Sequence, residues 1–182
     1  IIVNPSAVTM VEGGTANFDV RLSFEPSAEV RVFVLSNDPS LANVFPVTLT
    51  FDASNYDSVQ SVSISSSHDL DLQDDTTSIL LTAAGLTDVN LPLTITDDDV
   101  QGIIASPAIV NIREGDSRPI NVSLSYIPAS DVTVNLQASN PSLGISQSAL
   151  TFTPTNFANP QTVTLSVLDD TNTENETITV TL

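Results

Sequence analysis

The stretch Phe18-Asp19-Val20-Arg21-Leu22-Ser23 decides the fold. Its apolar side chains stand at every second position, so an extended backbone puts Phe18, Val20 and Leu22 on one face and their polar neighbours on the other. That is the pattern of a half-buried β-strand. The alternation recurs at Val30, Val32 and Val34, at Val62 and Ile64, and at Leu91, Leu93 and Ile95, and no helical period competes with it. Turn-forming residues separate the runs: Glu12-Gly13-Gly14, residues 24–29 around Pro26, Asn37-Asp38-Pro39-Ser40, residues 52–58, residues 68–76, and Gly85-Leu86-Thr87-Asp88. Six connections imply seven strands, A to G, in about 100 residues, which reads as an immunoglobulin-like antiparallel β-sandwich. Only the architecture is implied, because the chain has no Cys and no Trp with which to build the Cys-Trp-Cys core of antibody domains.

The chain contains this unit twice. Pro5, Glu12, Gly13, Leu22, Ser23, Pro26, Val30 and Val32 recur 102 residues later as Pro107, Glu114, Gly115, Leu124, Ser125, Pro128, Val132 and Val134. Leu49-Thr50-Phe51, Asn55, Gln60 and Val62 recur 101 residues later as Leu150-Thr151-Phe152, Asn156, Gln161 and Val163, so one deletion separates the two registers. The expected organisation is all-β: a sandwich over residues 1–99, a short linker at 100–102, and a second sandwich over 103–182 that lacks its last strand.

Composition narrows the chemistry. Among 182 residues there are 22 Asp+Glu against 4 Lys+Arg, none of them Lys, for a formal charge of −18. A nucleic-acid partner would need a basic footprint that this chain lacks. The absence of Cys removes disulfides, thiolate metal sites and thiol nucleophiles. No run of about 18 apolar residues is present, so direct membrane insertion is not expected. The opening IIVNPSAVTM carries no basic leader region, so an export signal is expected outside this stretch, and the expected location is extracellular or at the cell surface. An enzyme is not expected: the single histidine, His68, has no nucleophile motif to serve, and the acids have no aromatic sugar platform beside them.

Strand parity distributes the acids. In a sandwich of seven strands the A-B, C-D and E-F connections share one end with the residues after strand G. In the first copy that end collects Glu12, Asp38, Asp69, Asp71, Asp74, Asp75, Asp97, Asp98 and Asp99, and the other end collects Glu25, Glu29, Asp52, Asp57 and Asp88. Two carboxylates about 5 Å apart repel by roughly 3 kcal/mol at an effective dielectric near 20. Loops splayed in water can bear that, and so can a cation held among them. Hard oxygen donors favour Ca2+, whose six to eight ligands at loose geometry suit side chains from separate loops better than the tight octahedron of Mg2+.

These residues resemble the Calx-beta domain of sodium-calcium exchangers and bacterial surface proteins. The resemblance rests on Val11-Glu12-Gly13-Gly14 followed by 18–23, on the acidic loop 69–75, and on Thr94-Ile95-Thr96-Asp97-Asp98-Asp99; copy 2 repeats it with Arg113-Glu114-Gly115-Asp116, residues 120–125 and residues 168–177. It implies calcium at the end nearest each domain's C-terminus, with Glu12, Asp69, Asp71, Asp74, Asp75, Asp97, Asp98 and Asp99 as ligands in the first copy and Asp38 in a C-D loop that differs from the family's. In the second copy Glu114, Asp116, Asp169, Asp170, Glu174 and Glu176 remain, while Asn140 and Asn172 replace Asp38 and Asp71 and Arg113 stands beside them, so a weaker or empty site is expected. The function implied is a calcium-rigidified spacer whose partners are neighbouring repeats of the same chain. An adhesion module binding a host or neighbouring-cell protein is the alternative.

Overall fold

The computed structural model describes residues 1–169 and 174–182, and those residues form strands and turns with no helix. They divide into two compact units, Ile1–Asp69 with Gln73–Asp98, and Leu70–Leu72 with Asp99–Leu182. Gln101 and Gly102, which the sequence suggests are linker, are tied into the second unit: Gln101 Nε2 donates to the Tyr126 carbonyl at 2.8 Å and the Ser125 amide donates to the Gly102 carbonyl at 3.0 Å.

The first unit contains β1 (Ile2–Asn4), β2 (Val8–Val11), β3 (Thr15–Arg21), β4 (Val30–Ser36), β5 (Ala42–Phe45), β6 (Thr48–Phe51), β7 (Gln60–Ser66), β8 (Asp75–Thr82) and β9 (Val89–Thr96). They build two sheets, β1-β3-β7-β5 and β2-β9-β8-β4-β6. One core lies between them. Phe18, Val20, Val32, Val34, Val62, Ile64, Leu91, Leu93 and Ile95, the faces expected from the alternation, are all buried in it. Each such side chain contributes roughly 1.5–3 kcal/mol of transfer free energy, which makes this interface the main source of the unit's stability.

Nine strands stand where seven are expected, because strands A and D each divide between the sheets. β1 pairs antiparallel with β3, whereas β2 pairs in parallel with β9, which departs from a wholly antiparallel sandwich. β5 pairs with β7, whereas β6 pairs with β4. Pro5 and Pro46 stand at the two crossings, and a residue without an N–H cannot continue a ladder.

The second unit contains β10 (Ile103–Ser106), β11 (Ser117–Leu124), β12 (Val132–Asn135), β13 (Gln137–Ala138), β14 (Leu143–Ile145), β15 (Ala149–Phe152), β16 (Gln161–Val167) and β17 (Val180–Thr181). The sheet β10-β11-β16-β14 repeats β1-β3-β7-β5, and the pairing Phe18↔Val62 returns as Ile120↔Val163. The opposite layer is reduced to the pairs β12-β15 and β13-β17, and among the described residues no strand occupies the place of β9. Val110 and Ile112 repeat Val8 and Met10, yet the segment 110–113 belongs to no described strand. The same pattern forms β2 in the first unit because β9 is there to pair with it.

Phe18→Ala is expected to destabilise the first unit by about 3–5 kcal/mol through the cavity it leaves. Phe24→Ala, at a side chain 82% exposed, should cost less than about 0.5 kcal/mol. The urea dependence of amide exchange in β7 distinguishes the two; equal effects would contradict the core assignment.

Candidate metal centre

The register brings the acidic connections of the first unit to one end. There β2 finishes at Val11 opposite Thr96, β3 begins at Thr15 opposite Ser65, and β8 begins at Asp75 opposite Ile95. The Glu12 amide donates to the Thr96 carbonyl at 3.0 Å and so extends the β2–β9 ladder by one bond. Val8 and Met10 point inward, and Glu12 continues that phase. Its carboxylate is therefore carried into the end of the sandwich, where the residue is only 7% exposed, the one buried charged side chain among the described residues.

The chain then turns back at Gly13, whose φ of +64° a side chain would strain and whose Cα carries the His68 imidazole against it, leaving no room for a Cβ. The Glu12 carboxylate accepts the backbone N–H of Asp69, and its Oε1 lies 3.8 Å from His68 Nδ1. Two groups of potential ligand atoms share Glu12, one with Asp69 and Asp97, the other with His68 and Asp98; within each, the atoms lie within 4.8 Å of one another. Burial pushes the Glu12 carboxyl above its ordinary range, and the negative charges of Asp69 and Asp97 add to that, opposed by the Asp69 N–H and by His68.

The nine acids expected here are thus sorted. Glu12, Asp69, Asp97 and Asp98 are brought together. Asp74 supports them from behind, its Oδ1 accepting the Asp97 amide at 2.9 Å, and Asp75 stands on β8 opposite Ile95. Asp71 and Asp99 fall in the second unit and join neither group. Asp38 also stands apart: its Oδ1 accepts the Ser40 hydroxyl at 2.5 Å and the Ser40 amide at 2.9 Å, bonds that hold its carboxyl below the usual range. Asn140 makes the same two bonds to Ser142, and Asp52, at the other end of the sandwich, makes them to Ser54. A turn-stabilising role accounts for Asp38, since a neutral amide performs it equally in the repeat. His68 is the member that sequence reasoning set aside; its one signal was adjacency to Asp69.

The second unit assembles no such group among its described residues. Glu114, Asp116, Asp169, Glu174 and Glu176 are exposed, and Asp170 lies outside the described residues. Glu114 has the phase of Glu12, but without a ladder along 110–113 nothing carries it inward. Asp169 takes the place of His68, its Oδ1 3.0 Å from where a Cβ on Gly115 would lie, and Gly115 repeats the positive φ at +74°. Glu176 Oε2 accepts from Asn140 Nδ2 at 3.4 Å.

No family model matches the chain, and no curated protein does. Several solved structures resemble it loosely. SSP-19, an MSP-domain protein like family member in Caenorhabditis elegans, is 15% identical over 53% of this chain and 99% of its own, with a TM-score of 0.39. Domains 1–6 of the surface layer protein SbsC are 17% identical over 100% of this chain and 22% of theirs, at 0.40. The D00-D0 domain of intimin is 13% identical over 91% of this chain and 85% of its own, at 0.39. Likeness this low carries no inference about function, and the sandwich assignment stands on the sheets themselves.

A carboxyl raised on folding favours its protonated form, so in cation-free buffer ionisation of Glu12 lowers stability as pH rises from the ordinary value near 4.5 through its higher native value. Glu12→Gln keeps an acceptor for the Asp69 amide and removes the charge. In EDTA the variant should lose that segment of the pH dependence and melt above the wild type at pH 7. A variant that melts lower at pH 7, with the slope intact, would contradict the buried-charge assignment.

Proposed function

We propose that the chain is a pair of Calx-beta-type repeats from a secreted or cell-surface protein, in which Ca2+ bound by the first repeat stiffens the array as a spacer. The reading makes the chain a non-enzymatic module whose partners are neighbouring repeats. The observation that carries it is Glu12, a carboxylate buried under other carboxylates. Isolated, that arrangement costs free energy; with a divalent cation among Glu12, Asp69, Asp97 and Asp98 the same charges become favourable. The donors fit the ion, since they are hard oxygens from three separate segments, and bidentate carboxylates and water can complete a coordination number of six to eight. When bound, calcium supplies charge neutralisation and a cross-link between the end of β2, the 68–69 loop and the exit of β9. A charge of −18 suits a calcium-rich exterior, where affinities of extracellular modules are on the order of 10⁻⁴ to 10⁻³ M.

Calorimetric titration of the 182-residue chain with Ca2+ should give saturable heat and a higher melting temperature at millimolar calcium. Asp97→Asn with Asp98→Asn should remove most of both, Asp38→Asn should leave both intact, and equal Mg2+ should give a smaller response. No heat and no thermal shift would overturn the reading. The spacer role predicts, in addition, a calcium-dependent change in small-angle scattering; binding with an unchanged profile would leave a calcium site without the stiffening.

A further inference from the structure

His68 gives the end of the first unit a kind of donor that its carboxylates lack. Within the group Glu12, His68 and Asp98, one potential nitrogen ligand and two potential oxygen ligands all lie within 4.8 Å of one another. The three residues come from separate segments: the turn after β2, the loop after β7 and the exit of β9. Glu12 forms the floor, its side chain 6% exposed, while the His68 side chain is 63% exposed and Asp98 lies at the surface. An ion can therefore enter from solvent and still meet a buried carboxylate.

Two features separate this group from a chance meeting of surface charges. The first is the distance from His68 Nδ1 to Glu12 Oε1, which at 3.8 Å is beyond hydrogen-bond reach. Two ligands bound at about 2.0–2.1 Å to one tetrahedral ion stand roughly 3.3 Å apart, so the pair has to close by only about half an ångström onto an ion. The second is the seat of the imidazole. Its Nε2, Cδ2 and Cε1 occupy the space that a Cβ on residue 13 would fill, and the positive φ of Gly13 disfavours any side chain there. Backbone thus holds one edge of the ring, and the other edge presents Nδ1 to Glu12, which reduces the ordering that binding requires.

We propose that Glu12, His68 and Asp98 form a binding site for a transition-metal dication of the zinc class, with Nδ1 and two carboxylate oxygens as ligands and water completing the shell. The donors decide the class. Imidazole is a ligand that suits Zn2+ and its neighbours, whereas Ca2+ and Mg2+ take oxygen. Three protein ligands with a fourth position open to water is an arrangement that Zn2+ adopts. The site goes beyond the calcium reading and does not rest on it: His68 is absent from the oxygen group Glu12, Asp69 and Asp97, and neither Asp69 nor Asp97 enters the nitrogen group. The second repeat offers an internal comparison, since Asp169 takes the place of His68 there and no such group forms among its described residues.

The test uses the whole chain, whose single histidine makes the imidazole signals of a nitrogen-edited NMR spectrum report His68 alone. Titration with ZnCl2 at pH 7 in calcium-free buffer should show saturable binding of one zinc per chain and should move the Nδ1 resonance. His68→Gln should weaken zinc binding at least about tenfold and leave the response to Ca2+ as in the wild type. Because the side chain is exposed, that variant should melt with the wild type in EDTA. Asp97→Asn should keep both zinc binding and the movement of the ring signal. Absence of saturable zinc binding, a His68→Gln variant that binds zinc as the wild type does, or zinc binding with the Nδ1 resonance unmoved would overturn the proposal. A chain that binds zinc through His68 and gives no response to calcium would uphold this site and overturn the calcium reading alone.

Discussion

The double pairing of β9 is the constraint on which the rest depends. In the first unit it bonds in parallel to β2 and antiparallel to β8, closes the five-stranded sheet, and places Leu91, Leu93 and Ile95 in the core. The same ladder, extended by the bond from Glu12 to Thr96, carries the Glu12 carboxylate into the end of the sandwich. In the second unit no described strand stands in that place, and the consequences are visible there. Segment 110–113 has the residues of a strand without being one, and Glu114 stays exposed.

Charge gains its meaning from that frame. A net −18 spread over a surface would speak of solubility and little else. Here the acids are sorted by backbone geometry into groups with different physics. Asp38 and Asp52 spend their carboxylates on the Ser40 and Ser54 turns, and their pKa values fall accordingly. Glu12 moves the opposite way because burial dominates. The first kind has its charge satisfied by turn hydrogen bonds, and the second keeps its charge at a cost.

Much of the fold was legible in the residues. Alternation named the buried faces, because each strand has one side against the core and one in water, and the spacing of 102 and 101 named the repeat. The crossings at Pro5 and Pro46 escaped, because there one extended run serves two sheets and local periodicity does not register a change of partner. At the candidate site, parity brought the right loops to one end but could not separate Asp38, a turn residue, from Glu12, a buried one. His68 escaped for a related reason: its packing on Gly13 depends on two segments 55 residues apart.

The sequence by itself determined that the chain is all-β, duplicated, acidic at one end of its first repeat and devoid of thiol chemistry, because composition and period-two patterning are local properties. Only the tertiary structure decided which carboxylates meet and that Glu12 is buried. Those outcomes are set by which strands pair, and a strand's partner is chosen by hydrogen bonds across the sheet that no segment carries in its own sequence.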